Sequence, residues 1–330
     1  MRVVLYEWCL SGGLAGGDAT IAREGRMMLE ALAADAAKDP AIDVTVLVEA
    51  GRTIDLPPRV RAMSVPVGDD VGSLVAAARA ADWAVVVAPE TDGELTARVQ
   101  AVRAAGGRVL APADHVIDVA SDKQATVDAL AAHGMPVPAG RALAAGEPVP
   151  AGFHLPAVRK ARSGCGGDGL RILDTRDAPP AVIPTRLEAF VPGTPVGVSC
   201  ICGPRATVVL PPLRQAFAAG PVPRYLGSDP LDDEPLAARA RALAARALAA
   251  VGADCGWAGV DLILGDPADG RDDRVLEVNP RVTTSFVGQA GLFESSLVAA
   301  MIAAATGAEA LLAPVANLPP TAGSFRLPGG

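Results

Sequence analysis

Apolar positions along the chain fall into short unbroken runs, separated by stretches with helical spacing. Residues 2–6 (RVVLY) form the first run. A glycine-rich turn follows from Ser11 to Gly17, and residues 22–37 place apolar side chains on one helical face. Val44–Val48 and Trp83–Ala88 repeat the strand pattern, residues 94–105 read as a helix, and a strand surrounds residues 108–110. Strands alternating with helices predict βαβ units on a parallel sheet, so residues 1–113 read as one α/β domain.

The pattern then changes. Residues 121–133 (SDKQATVDALAAH) predict a helix capped by Ser121 and closed by Gly134. Strands are predicted over residues 155–160, 170–173, 186–191, 196–202 and 206–210, with little helix between them. A helix at 236–251, strands at 259–264 and 274–278 joined by GDPADGRDD, and a last helix over 292–306 complete the chain. This half reads as α+β.

Half of the residues are apolar, a fifth are charged and the net charge is −8. That balance supports a large core and excludes a globally basic nucleic-acid binder. No signal peptide is apparent, and the apolar run 297–308 is too short at roughly a dozen residues to span a bilayer, so a soluble cytoplasmic protein is expected. The five cysteines show no CxxC pair, which favours reduced, packed thiols over a metal or disulfide role. Lysine is scarce: only Lys38, Lys123 and Lys160 stand among 29 basic residues. Lys38, in the helix-end run AAKDP, reads as ordinary surface.

The loop GGLAGG (Gly12, Gly13, Gly16, Gly17) does not spell a dinucleotide fingerprint, because Leu14 takes the second glycine's place. Lys160 closes an apolar strand and is followed by ARSGCGGDG, whose Gly164, Gly166 and Gly167 allow backbone N–H groups to approach a phosphate. A plain β-turn fits the same string. Residues 188–191 (EAFV) read equally as an edge strand or as an interlobe segment with apolar Phe190 and Val191. The sharpest pattern is at the end. Glu277 and Asn279, two apart in a strand, share a face, and Asp261 comes opposite them if the two strands pair. Two carboxylates and an amide oxygen suit Mg²⁺, and crowded carboxylates require some counter-charge. Arg281 continues the alternation as a fork for phosphate or carboxylate.

The order Ser121-Asp122-Lys123, Lys160 with its glycine loop, Glu188–Val191, Asp261 and then Glu-Val-Asn-Pro-Arg at 277–281 resembles the ATP-grasp superfamily over nearly the whole chain. The resemblance implies a pre-ATP-grasp α/β domain (1–113), a central lobe carrying the glycine loop (114–184) and a C-terminal lobe carrying the metal site (185–330). It implies ATP as substrate, with Mg²⁺ (or Mn²⁺) held by Asp261, Glu277 and Asn279. Lys123 and Lys160 then bind phosphates, Glu188, Phe190 and Val191 bind adenine, and Arg281 acts in catalysis with Lys160. Many members carry a ribose-binding acid about seven residues beyond the adenine-side glutamate; Pro195 stands there instead. The implied reaction joins a small-molecule carboxylate to an amine through an acyl phosphate.

A narrower likeness rests on Tyr6-Glu7, Ser11-Gly12-Gly13, residues 23–27 (REGRM) and residues 279–285 (NPRVTTS). These look like the branch that includes the tyramine–L-glutamate ligase of methanofuran biosynthesis. That likeness implies an acceptor side built from Gly12, Gly13, Gln215, Thr283, Thr284 and Ser285, with a turn at 225–227. Another amino-acid-like substrate, or a non-catalytic nucleotide-binding subunit, remains open at this level, as does monomer against homodimer. No nucleic-acid or membrane partner is expected.

Overall fold

The computed structural model describes residues 1–14, 19–167, 169–316 and 321–327. The expected glycines Gly16 and Gly17 lie outside them. The amino-terminal region contains β1 (Arg2–Glu7), α1 (Ala19–Ala36), β2 (Asp43–Glu49), β3 (Arg61–Val65), α2 (Asp70–Ala80), β4 (Trp83–Val87) and α3 (Glu94–Ala104). Its sheet has the order β3-β2-β1-β4 and is entirely parallel. The unbroken apolar β1 follows from burial on both faces. Val3 and Leu5 pack with Leu29 and Leu32 of α1, whereas Val4 and Tyr6 face Leu74 of α2 and Val99 of α3. The strand expected at 108–110 makes only one bridge, Val109 to Ala84.

Helices α4 (Asp114–Ser121) and α5 (Lys123–Ala132) lead into β5 (Gly140–Leu143), β6 (Ala157–Ala161), β7 (Arg171–Leu173) and β8 (Thr185–Ala189). These strands form an antiparallel sheet ordered β5-β8-β6-β7. A division at residue 185 therefore falls before a strand that pairs with β5 and β6, and the central sheet runs on to Ala189.

The last region contains β9 (Thr194–Cys202), β10 (Thr207–Val209), β11 (Leu213–Phe217), β12 (Tyr225–Pro230), α6 (Glu234–Val251), β13 (Gly256–Leu264), β14 (Arg274–Asn279), α7 (Ser285–Ala290), α8 (Leu297–Ala305) and β15 (Phe325–Arg326). Its sheet is ordered β14-β13-β9-β11-β12-β15, with β10 also on β9. Ala258, Val260 and Leu262 point into the core under α6, which leaves Gly259, Asp261 and Ile263 facing the cleft. On another side, Trp257 packs on Phe286 with ring centres 5.0 Å apart, in a core shared with β1, α1 and α8. The amino-terminal sheet and the carboxy-terminal helices thus close over one continuous apolar layer.

Three local expectations are corrected. Ser121 is not the cap of α5 but the last residue of α4; Asp122 is the cap, accepting from the backbone N–H groups of Gln124 and Ala125. The helix expected at 292–306 begins instead at Leu297, where the Ser296 side chain caps it, and α7 is a separate turn upstream. Residues 225–227 belong to β12 rather than to a turn.

Candidate active site

The carboxyl ends of β1 and β4, the glycine loop, β8 and the cleft face of β13 and β14 enclose one cavity of about 560 Å³. Of the expected site residues, Lys123, Lys160, Gly164, Gly166, Gly167, Glu188, Phe190, Val191, Gln215, Asp261, Glu277, Asn279, Arg281 and Thr283–Ser285 all line it. Gly12 and Gly13 do not. A Cβ on Gly13 would lie 2.1 Å from the Trp8 ring, and one on Gly12 would lie 3.1 Å from Glu49. Close approach to the Trp8 ring accounts for Gly13, and a positive φ of 99° accounts for Gly12.

The two lysines tie separate parts of the chain to the cavity. Lys123, the first residue of α5, donates to the Gly164 carbonyl at 2.8 Å and lies 3.5 Å from Glu277. Lys160 is buried at 6% exposure near the end of β6, where its ammonium meets Glu188 at 2.9 Å and donates to the Leu276 carbonyl at 3.3 Å. An ammonium so buried requires such partners. The loop between them turns through positive φ at Gly166 and Gly167, where an added Cβ would meet open space or only Leu170. Glycine is required there for backbone conformation, not for room. Ser163 fastens the loop to the amino-terminal region through the Glu90 carbonyl at 3.2 Å.

Asp122 positions Lys123. It caps α5 and pairs with Arg162 at the start of the glycine loop. Burial raises its pKa, but the bonds from Arg162 and the two backbone N–H groups outweigh that and hold it below the usual carboxylate range. Asp122→Ala is expected to cost about 1 kcal/mol of stability as a lost cap and to weaken nucleotide binding. Urea unfolding and ATP titration of the variant check both effects.

Antiparallel pairing of β13 with β14 sets Asp261 directly opposite Glu277, and Gly259 opposite Asn279. Gln215 donates to Asp261 Oδ1 at 2.7 Å, and Asn279 donates to Oδ2 at 3.0 Å. Burial, followed by the charge of Glu277, pushes Asp261 up to about 7. Burial acts the same way on Glu277, yet Lys123 and Lys160 overcome it and hold this carboxyl down at about 2. The lysines thus balance Glu277, and Asp261 is the more readily protonated of the two; a hard cation would take that proton's place, and the all-oxygen chemistry fits Mg²⁺. Asn279 would join as a ligand by turning its amide oxygen inward.

Arg281 is nearly buried and donates to Glu90 at 2.9 Å. Burial disfavours its charge, and Glu90 restores it. Its Nε and the second carboxylate oxygen of Glu90 have no partner among the described residues. Glu90, which sequence reasoning missed, follows β4 at the carboxyl end of a parallel strand, where α/β sheets commonly place ligand contacts. Arg186 was missed as well. It is 1% exposed and binds Glu188, Gln124 and the Pro138 carbonyl. Glu188 is thus held on one oxygen by Lys160 and on the other by Arg186. It reaches the cleft as an anchor for Lys160 rather than as a free acceptor for a base.

Beyond Arg281, hydroxyls follow one another. Thr283 and Ser285 are 2.7 Å apart, Ser285 and Ser199 2.8 Å, and Tyr225 and Ser228 2.6 Å. The tip of the β11–β12 hairpin meets the central sheet, as Ile172 N–H donates to the Pro221 carbonyl at 2.8 Å.

Comparison with known proteins agrees with this fold. An ATP-grasp superfamily protein from Archaeoglobus fulgidus superposes with a TM-score of 0.68 at 21% identity, covering 94% of this chain and 89% of that one. The L-amino acid ligase from Bacillus licheniformis gives 0.68 at 17% identity, over 95% of this chain and 77% of that one. The D-alanine–D-alanine ligase from Bacillus anthracis gives 0.62 at 16% identity, over 92% and 97%. At these identities the likeness shows the fold. No curated protein matches the chain. The pre ATP-grasp 3 domain family matches residues 42–117. The ATP-grasp domain matches residues 120–285, half of the chain, and the protein belongs to the ATP-grasp family.

Proposed function

We propose that the protein is an ATP- and Mg²⁺-dependent carboxylate–amine ligase that forms an amide through an acyl phosphate. In its finer form the reading joins L-glutamate to tyramine or a related amine, in methanofuran-type cofactor biosynthesis. One observation carries it: half-buried Lys123 from α5, buried Lys160 from β6 and a carboxylate pair from β13 and β14 converge on one cavity beside a glycine loop. A cavity of about 560 Å³ is of the size that takes a nucleotide-sized ligand.

In this reading the backbone of residues 189–191 and the Phe190 side chain receive the base, because Glu188 is occupied by Lys160 and Arg186. Lys123 and Lys160 balance phosphate charge, helped by backbone N–H groups of the glycine loop. Asp261, Glu277 and Asn279 would hold the Mg²⁺, which would supply neutralisation of phosphate charge. A substrate carboxylate oxygen attacks the γ-phosphorus, the bond to ADP breaks, and an acyl phosphate forms. The amine nitrogen then attacks the acyl carbon and phosphate leaves. Arg281, oriented by Glu90, stabilises negative charge as it develops in both steps.

The reading is tested by ADP release from the purified protein with L-glutamate and a panel of amines, with and without Mg²⁺. ADP formation that needs carboxylate, amine and metal together is expected. Tight ATP binding with no turnover across the panel would point to a binding module instead. Lys123→Ala is expected to weaken ATP binding by about 1.5–3 kcal/mol, roughly ten- to a hundredfold in Kd. Calorimetric titration of the folded variant reads that change.

A further inference from the structure

One buried acid in the cavity has no part in the steps above. Glu7 ends β1, is 3% exposed and lines the cleft near enough to Arg281 to feel its charge. Tyr6 and Glu7 point to opposite faces, so Tyr6 donates to Asp70 behind the sheet while Glu7 turns to the cavity. The carboxylate is fixed in place. Its Oε2 accepts from the Leu10 N–H at 2.9 Å. On the other side it packs flat on the backbone of α1, where a Cβ on Gly25 would fall 2.4 Å from Oε1. Helix α1 thus gives up a side chain in its middle to admit this carboxylate. Ile21 and Met28, one turn to either side, line the cavity as apolar neighbours.

We propose that Glu7 is the base that accepts the proton of the attacking amine, an inference that rests on the ligase reading above. The amine enters as an ammonium, which the carboxylate attracts, and the apolar side chains of Ile21 and Met28 take its organic part. One proton passes from nitrogen to Glu7. The freed electron pair forms the N–C bond, the C–O bond to the phosphoryl group breaks with its electrons, and the departing phosphate takes the second nitrogen proton. Burial, opposed by donors from Leu10 and Cys9 and by the charge of Arg281, lifts the Glu7 carboxyl to about 7. That places it where a general base works best near neutral pH. Glu90 is not among the residues that line the cavity and pairs with Arg281, so it does not compete for this role.

The test uses hydroxylamine, which is largely neutral at pH 7 and needs no base, beside tyramine, which is an ammonium. Hydroxamate formation by the wild type is first screened over the proteinogenic amino acids as carboxylate donors. With the best donor, Glu7→Gln is expected to lose amide formation with tyramine by about 10²-fold or more while keeping wild-type hydroxamate formation. The glutamine oxygen still accepts from Leu10, and the retained hydroxamate activity itself reports a folded first half-reaction. Gly25→Ala, which displaces the carboxylate, is expected to show the same selective loss. If Glu7→Gln loses both products equally, or neither, the proposal is overturned while the ligase reading stands. If the wild type forms no hydroxamate with any donor, the ligase reading fails and this proposal with it.

Discussion

Lys160→Met is expected to remove turnover and leave the fold intact. ADP formation falls by about 10²–10³-fold, the scale on which one preorganised charge-stabilising donor acts at a transition state. The fold survives because methionine keeps the bulk of the lysine stem, and Glu188 keeps Arg186 as its ion-pair partner. Nothing else at the site replaces the lost charge. Arg281 is committed to Glu90, and Lys123 is engaged with the Gly164 carbonyl and Glu277. The effect should exceed that of Lys123→Ala, since Lys160 is the more buried ammonium and acts in the lower local dielectric. Steady-state ADP release beside a thermal melt decides the matter. Normal turnover in a folded Lys160→Met protein would sink the assignment of this cavity as the site of phosphoryl transfer.

The parts of this site that were legible in the sequence are those where a strand's period of two carries the chemistry. Asp261, Glu277 and Asn279 face one way because alternate residues must, and the register that sets Asp261 against Glu277 follows from a hairpin. Residues held by contacts distant in sequence were not legible. Glu90 and Arg281 are paired across 191 positions, and Arg186 sits in a strand where an arginine reads as exposed. The missed elements share a different cause. Among the β3 residues only Val65 is buried, and polar residues interrupt the apolar positions of β11 (LRQAF) and β12 (YLGSDP), so none offers an apolar run. The sequence points to Ser121 as the cap, and only the end of α4 at Ser121 shifts that role to Asp122. Lys38 is a surface residue as the sequence suggests, but its contacts were not legible for the same long-range reason. Its ammonium donates to the carbonyls of Ala290 and Phe293 at 2.6 and 2.9 Å, so it docks α1 on the carboxy-terminal helices.

The partner of Lys38 carries the largest expected effect on stability. Asp35 of α1 is 1% exposed. Its Oδ1 receives Lys38 at 3.2 Å, and its Oδ2 receives the Ser296 hydroxyl at 3.0 Å and the Val298 N–H at 2.9 Å, at the amino end of α8. Asp35→Ala would leave the Ser296 and Val298 donors unpaired in a closed interface, at a cost of about 3 kcal/mol, the upper end for a stranded buried donor. Asp35→Asn keeps an oxygen for Ser296 and Val298 and should cost about 1 kcal/mol. The pH dependence then separates this acid from an ordinary ion pair. Burial raises the Asp35 pKa despite Lys38 and the N–H donors, so the folded state favours the protonated form. Its contribution is fully present below the ordinary carboxylate pKa and is lost as pH rises through the raised value. The advantage of aspartate over asparagine should therefore be greater in acid than at neutral pH. Urea midpoints of the two proteins across that range give the answer. A gap that widens as pH rises would show that the charge itself, with Lys38, holds the interface, and not the hydrogen bonds that either form of the side chain accepts.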